Sequence, residues 1–148
     1  MKFISHRGNL EGKEPEENTL KKIIYCVNND FDVEIDVWSL NNELFLGHDF
    51  GQHYVHIETL MSLKNKLWIH CKNIEALHML SNKDLNIFFH NTDDCTLTSK
   101  GLIWTYPGKQ LTSLSVCVLP ENANYSINNL NECYGICSDQ IKKYKGLL

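Results

Sequence analysis

Seven short apolar runs set the limits on how this chain can fold: residues 2–6, 32–38, 67–72, 86–90, 102–106, 114–119 and 134–138. Each is followed by polar or turn residues, and most are separated by a helix-sized connection. That alternation predicts βα units and a largely parallel sheet. The connection from residue 106 to 114 is too short for a crossover helix. Helices are expected over residues 20–27, with Leu20, Ile23, Ile24 and Val27 on one apolar face and Asn18 or Thr19 as cap, and over residues 57–63 and 74–80. Residues 51–56 read as loop, and residues 43–47 as an extended segment returning after the Asn41-Asn42 turn.

With 148 residues and only three prolines, the chain reads as one domain. Its net charge of -4 argues against a nucleic-acid-binding surface, which needs a basic excess, but leaves room for a local anion site. No run approaches a membrane span, and Met1 to Ser5 runs into polar residues without the apolar segment of a signal peptide. The six cysteines form no C-x-x-C pair, which favours reduced, mostly buried thiols in a cytoplasmic protein over a zinc site.

Residues 32–38 are the most informative run. Side chains alternate faces along a strand, so Val33, Ile35 and Val37 point one way while Glu34 and Asp36 point the other. Two carboxylates facing an interior are costly to desolvate unless a cation joins them, and a hard divalent metal suits such a pair. In parallel sheets functional groups gather at the C-terminal strand ends. His6, Glu34, Asp36, Lys72, His90, Tyr106 and Asp139 all fall at or near such ends. Trp104 and Tyr106 are candidates for a substrate wall or for core, whereas His53, His56 and His78 are assigned to the surface or to helix packing.

Ser5-His6-Arg7-Gly8, Glu17-Asn18-Thr19, Glu34-Ile35-Asp36-Val37 and Leu46-Gly47-His48-Asp49 together resemble the N-terminal signature of the glycerophosphodiester phosphodiesterases, part of a superfamily of barrel-shaped phosphodiesterases. The likeness is dense in the first third of the chain and thin thereafter, although Gly135 to Asp139 resembles a last barrel strand. It implies an α/β fold, a compact, shortened (βα)8 TIM-type barrel with about seven recognisable strands; the chain falls below the ~200 residues at the low end for that fold. It also implies His6 and His48 as general acid and base, Arg7 as a phosphate ligand, Lys72 near phosphate or an acidic ligand, and a divalent metal on Glu34 and Asp36.

The family's third metal ligand is a glutamate two residues before a lysine. Here His70 stands there, before Lys72. If His70 is a ligand, the preference moves from Mg or Ca towards Mn or Zn; if not, it is a hydrogen-bond partner of Glu34 or Asp36. Both readings stay open at this point. The function expected is metal-dependent cleavage of a small phosphodiester; the alternative is a degenerate barrel that binds a phosphorylated ligand or acts as an assembly partner. A chain this short could also cover an open edge by forming a homodimer.

Overall fold

The computed structural model describes residues 1–148. Its strands are β1 (Lys2–His6), β2 (Asp32–Leu40), β3 (Glu43–Leu46), β4 (His53–Val55), β5 (Leu67–Cys71), β6 (Ile87–Phe88), β7 (Cys95–Leu97), β8 (Ile103–Thr105), β9 (Ser115–Val118) and β10 (Gly135–Ser138). Five short helices accompany them: α1 (Leu20–Asn28), α2 (Ile57–Ser62), α3 (Ile74–Leu80), α4 (Ile127–Asn131) and α5 (Ile141–Leu147). No helix is long and apolar enough to cross a membrane.

The ten strands form one mixed sheet, curled into a half-barrel. Parallel ladders run β6-β5-β2-β1-β10-β9-β8. Antiparallel additions flank this path, the β3–β4 hairpin on β2 and β7 on β8.

This arrangement corrects the expected shortened (βα)8 TIM-type barrel. The chain does not alternate strand and helix: β3, β4 and β7 are antiparallel insertions, and no helix stands between β6 and β8 or between β8 and β9. A parallel crossover takes about a dozen residues or more with its helix. Between β8 and β9 the chain instead spends its residues on a loop pinned by Tyr125, whose hydroxyl donates to Lys109 O at 2.8 Å. Nor does a strand ladder close the curl. The β6 end meets β7 and the residues after it through Ser99 N to Ile87 O (2.8 Å), Ile87 N to Ser99 Oγ (2.9 Å) and Thr96 Oγ1 to Phe89 O (2.9 Å).

Two hydrophobic clusters follow from the alternation of side chains along the strands. The larger lies between the convex face of the sheet and the helices, and takes Val33, Ile35 and Val37 of β2, Ile69 and Cys71 of β5, Ile23 and Cys26 of α1 and Ile141 of α5. The smaller fills the concave side with Ile4, Trp68, Phe88, Trp104, Val116, Val118 and Cys137. On α1 the buried face is turned from the expected one: Ile23 and Cys26 are buried while Leu20 and Ile24 are exposed. Cys26 turns inward because its thiol donates to Gly8 O at 3.1 Å, directly behind the site loop. Residues 51–56, expected as loop, contain β4, whose register with β3 pairs Phe45 with Tyr54.

Candidate active site

Because β1, β2 and β5 are parallel neighbours, their concave-facing residues are brought level at one end of the sheet. His6 lies opposite Glu34, and Asp36 opposite His70. The β2–β3 hairpin then returns the chain so that His48 reaches Asp36. Gly47 makes that return possible, since at φ +148° a Cβ would stand 2.2 Å from Phe50 O. The result is a cavity of about 270 Å³ lined by His6, Arg7, Glu34, Asp36, His48, His70 and Lys72, with His90, Trp104 and Tyr106 along one side. The nine residues given candidate roles from sequence, His6, Arg7, Glu34, Asp36, His48, His70, Lys72, Trp104 and Tyr106, all line it, whereas Asp139, also at a strand end, does not. A larger groove of about 510 Å³, between α1 and the segment that precedes it, is lined mostly by lysine and glutamate and contains none of them.

Asp36 is the hub. It is fully buried, and its Oδ2 lies 3.1 Å from Arg7 Nε and 3.2 Å from His48 Nδ1. Asn18 clamps it twice, donating from Nδ2 to Oδ2 (3.0 Å) and accepting the Asp36 backbone N–H (2.9 Å). Arg7 and Asn18 both take left-handed backbone conformations, at φ 53° and 58°, which aims them at this carboxylate. Asp36 Oδ1 is approached by His70 Nδ1 (3.0 Å) and Lys72 Nζ (3.4 Å), but neither contact has hydrogen-bond geometry, and Oδ1 is left without a directed donor. Burial pushes the Asp36 pKa up, but the His48 and His70 contacts, with Arg7 and Lys72, hold it well below the usual range. Glu34 is buried beside that charge; burial first and Asp36 second raise its pKa.

His6 has a different environment. Its Nδ1 is 2.7 Å from Asp139 Oδ1, which leaves Nε2 on the Glu34 side at 3.8 Å. Asp139 is itself fixed by Asn9 Nδ2 (2.8 Å), and its backbone N–H donates to Glu121 (3.0 Å). Burial works against the imidazolium, yet the Asp139 hydrogen bond and the Glu34 charge outweigh it, so the His6 pKa is raised. Asp139 is pushed up by burial, but its bond to His6 prevails and its pKa is lowered. His48 is half-buried between cations. Arg7 NH2, which can only donate, lies 3.3 Å from His48 Nε2, and Nδ1 sits between Asp36 Oδ2 at 3.2 Å and Lys72 Nζ at 3.4 Å.

These assignments predict the behaviour of Asp139→Asn. The raised His6 pKa contributes stability that is full below about 6.5 and lost as pH rises through the folded value; the lowered Asp139 pKa contributes stability present above about 3.8 and lost as pH falls. The variant should therefore be destabilised most at pH 4–6.5, and its His6 C–H resonances should titrate at lower pH than in the parent. An unchanged His6 titration in the NMR spectrum would remove Asp139 from this role.

The remaining wall is aromatic. The His70 ring lies nearly parallel to both Phe88 (centroids 5.1 Å, 8°) and His90 (4.5 Å, 18°), which are themselves 6.5 Å apart, and His90 in turn lies 4.3 Å from Tyr106. Trp104 is 2% exposed and stacks on Phe88, so it belongs to the concave cluster and forms the cavity wall at the same time. His53, His56 and His78 are exposed on the outside. Asp49 is also exposed, 3.7 Å from His48 Nε2. Asn9, Glu121 and the Asn18 clamp escape sequence reasoning. Only the nearness of Asn18 to Glu17 in the motif hinted at the last, and nothing local marks the other two.

Glu34, Asp36 and His70 offer one ligand atom each, all within 4.8 Å of one another. The unpartnered Asp36 Oδ1 and the adjacent buried carboxylate fit a divalent cation. The chain matches no family model, no curated protein and no solved structure. Its chemistry must be argued from the site.

Proposed function

We propose that the protein is a metal-dependent phosphodiesterase of the glycerophosphodiester phosphodiesterase type, acting on a small phosphodiester in the cytoplasm. The observation that carries this reading is the meeting of two histidines with different partners, two cations and a two-carboxylate seat in one cavity. A volume of about 270 Å³ suits a small polar diester, being just below the range of about 300 Å³ and upward for drug-sized ligands.

In the proposed reaction Arg7 and Lys72 neutralise the non-bridging oxygens of the phosphate. Arg7, once engaged by such an oxygen, releases His48 Nε2. That nitrogen takes the proton from the attacking hydroxyl, either water or a neighbouring hydroxyl of the substrate, as the new O–P bond forms. His6, whose Nδ1 is held by Asp139, gives its Nε2 proton to the leaving oxygen as the old P–O bond breaks. A divalent ion on Glu34 and Asp36 would supply Lewis-acid stabilisation of the developing charge. Tyr106 and Trp104 wall the space for the alcohol. The five buried free thiols, Cys26, Cys71, Cys117, Cys133 and Cys137, support the cytoplasmic placement. Homodimer formation across a free strand edge, at β4 or β7, belongs to the same proposal.

One observation favours a second reading, phosphate binding without turnover: Asp36 already has Arg7 and Lys72 beside it. The deciding experiment is a panel of glycerophosphodiesters with Mg, Ca, Mn or Zn. Release of glycerol phosphate or a cyclic phosphate is the expected result. Binding of inorganic phosphate with no cleavage on any substrate or metal would favour the second reading.

A further inference from the structure

We infer that Glu34, Asp36 and His70 form a two-carboxylate, one-imidazole seat for a first-row transition-metal dication in preference to Mg or Ca, and that His70 sets this preference. The inference rests on the metal-dependent reading above and deepens it by committing to the class of ion.

Three features of His70 carry it. Its Nδ1 stands 3.0 Å from Asp36 Oδ1, an oxygen that is buried and accepts no hydrogen bond. An imidazolium–carboxylate pair would align its N–H on that oxygen; here the two atoms lie side by side. Two ligand atoms held by one ion at about 2.1 Å and at right angles are about 3.0 Å apart, so the spacing is that of neighbours around a shared cation. The second feature is rigidity. Phe88 and His90 lie side by side against the ring, at 8° and 18° to its plane and 6.5 Å from one another, so a swing of His70 away from Asp36 would disturb both contacts. A ligand locked in this way loses little freedom on binding. The third is register. Asp36 and His70 are opposite one another in the β2–β5 ladder, so main-chain hydrogen bonds fix their relative placement.

Mg and Ca are hard ions that favour all-oxygen surroundings, whereas an imidazole nitrogen suits Mn, Fe, Co and Zn. Replacing one oxygen ligand by His70 therefore biases the seat towards the second group. Lys72 Nζ lies 3.4 Å from both Asp36 Oδ1 and His48 Nδ1, a cation at the edge of the seat.

The test uses the full chain without substrate: isothermal titration with Mn, Zn, Mg and Ca, on the parent, His70→Glu and His70→Gln. The parent should bind Mn or Zn at least about tenfold more tightly than Mg or Ca. His70→Glu should lose most of that ratio by weakening Zn and strengthening Mg or Ca. The cobalt-loaded parent should show a strongly shifted, solvent-exchangeable imidazole N–H in its proton NMR spectrum, and cobalt-loaded His70→Gln should lack it. Equal affinity for the two groups of ions in the parent, or a cobalt spectrum without that signal, would overturn the inference even if neither variant folds. Metal-dependent cleavage with no such selectivity would leave the phosphodiesterase reading standing. Selective metal binding with no cleavage would do the reverse.

Discussion

His6→Ala is expected to lower kcat for phosphodiester cleavage by about 10³-fold, inside the 10²–10⁴ range of a positioned general acid. The imidazole is the only group on the β1 side of the cavity that joins a carboxylate relay to the space above Glu34: Asn9 and Glu121 hold Asp139, Asp139 holds Nδ1, and Nε2 is left facing the site. Removing it leaves the Arg7, Lys72 and metal-seat residues in place, so KM should change much less than kcat. The vacated space suggests a further check, because added imidazole should restore part of the rate. A circular dichroism spectrum like that of the parent, with kcat within a factor of about three, would remove His6 from the chemistry.

Asp36→Asn is the second large effect, and it acts on binding and stability together. The carboxylate touches Arg7, His48, His70, Lys72 and Asn18 from a fully buried position. An amide there takes the shared carboxylate from two largely buried cations, of which Arg7 keeps Glu17 at 3.4 Å. Breaking a buried pair from one side costs about 3–5 kcal/mol, and the lower end applies because Arg7 and Lys72 keep about 15% of their side-chain surface. A fall of about 3 kcal/mol in the denaturant-derived unfolding free energy is expected, with divalent-metal affinity reduced by about a hundredfold or more. Loss of metal binding at unchanged stability would show that Lys72 and Arg7 find other partners. Retained metal binding would rule out the seat.

The difference between what the residues announced and what the fold contains has a physical pattern. The β2 run was readable because burial on one side and charge on the other impose a period of two, and that period places Glu34 and Asp36 together whatever surrounds them. The helix over Leu20–Asn28 was readable for the same kind of reason, with Thr19 accepting from Lys22 N as its cap. Its exact face was not, because Cys26 is drawn inward by a hydrogen bond to Gly8, a tertiary contact. Strands of three residues such as β4 and β7 carry no periodic signal and exist only through their partners β3 and β8. The barrel expectation came from a resemblance confined to the first third of the chain. Past α3 only the β9–β10 connection carries a helix, α4; the β8–β9 connection is too short for one and β6 leads to β8 through β7, so the sheet curls without alternating. Asp139 reaches His6 from 133 residues away, and Glu121 reaches the Asp139 backbone N–H from 18; local sequence holds no record of either contact.

The central claim is that a divalent ion on Glu34 and Asp36 and the proton chemistry of His6 and His48 act on one phosphodiester. The most direct measurement is cleavage of glycerophosphodiesters by the full chain before chelation, after chelation, and after return of Mn, Zn, Mg or Ca one at a time. The account predicts that cleavage stops with chelator and returns with metal, to the greatest extent with Mn or Zn. Cleavage that continues at an unchanged rate in the chelated protein would contradict it.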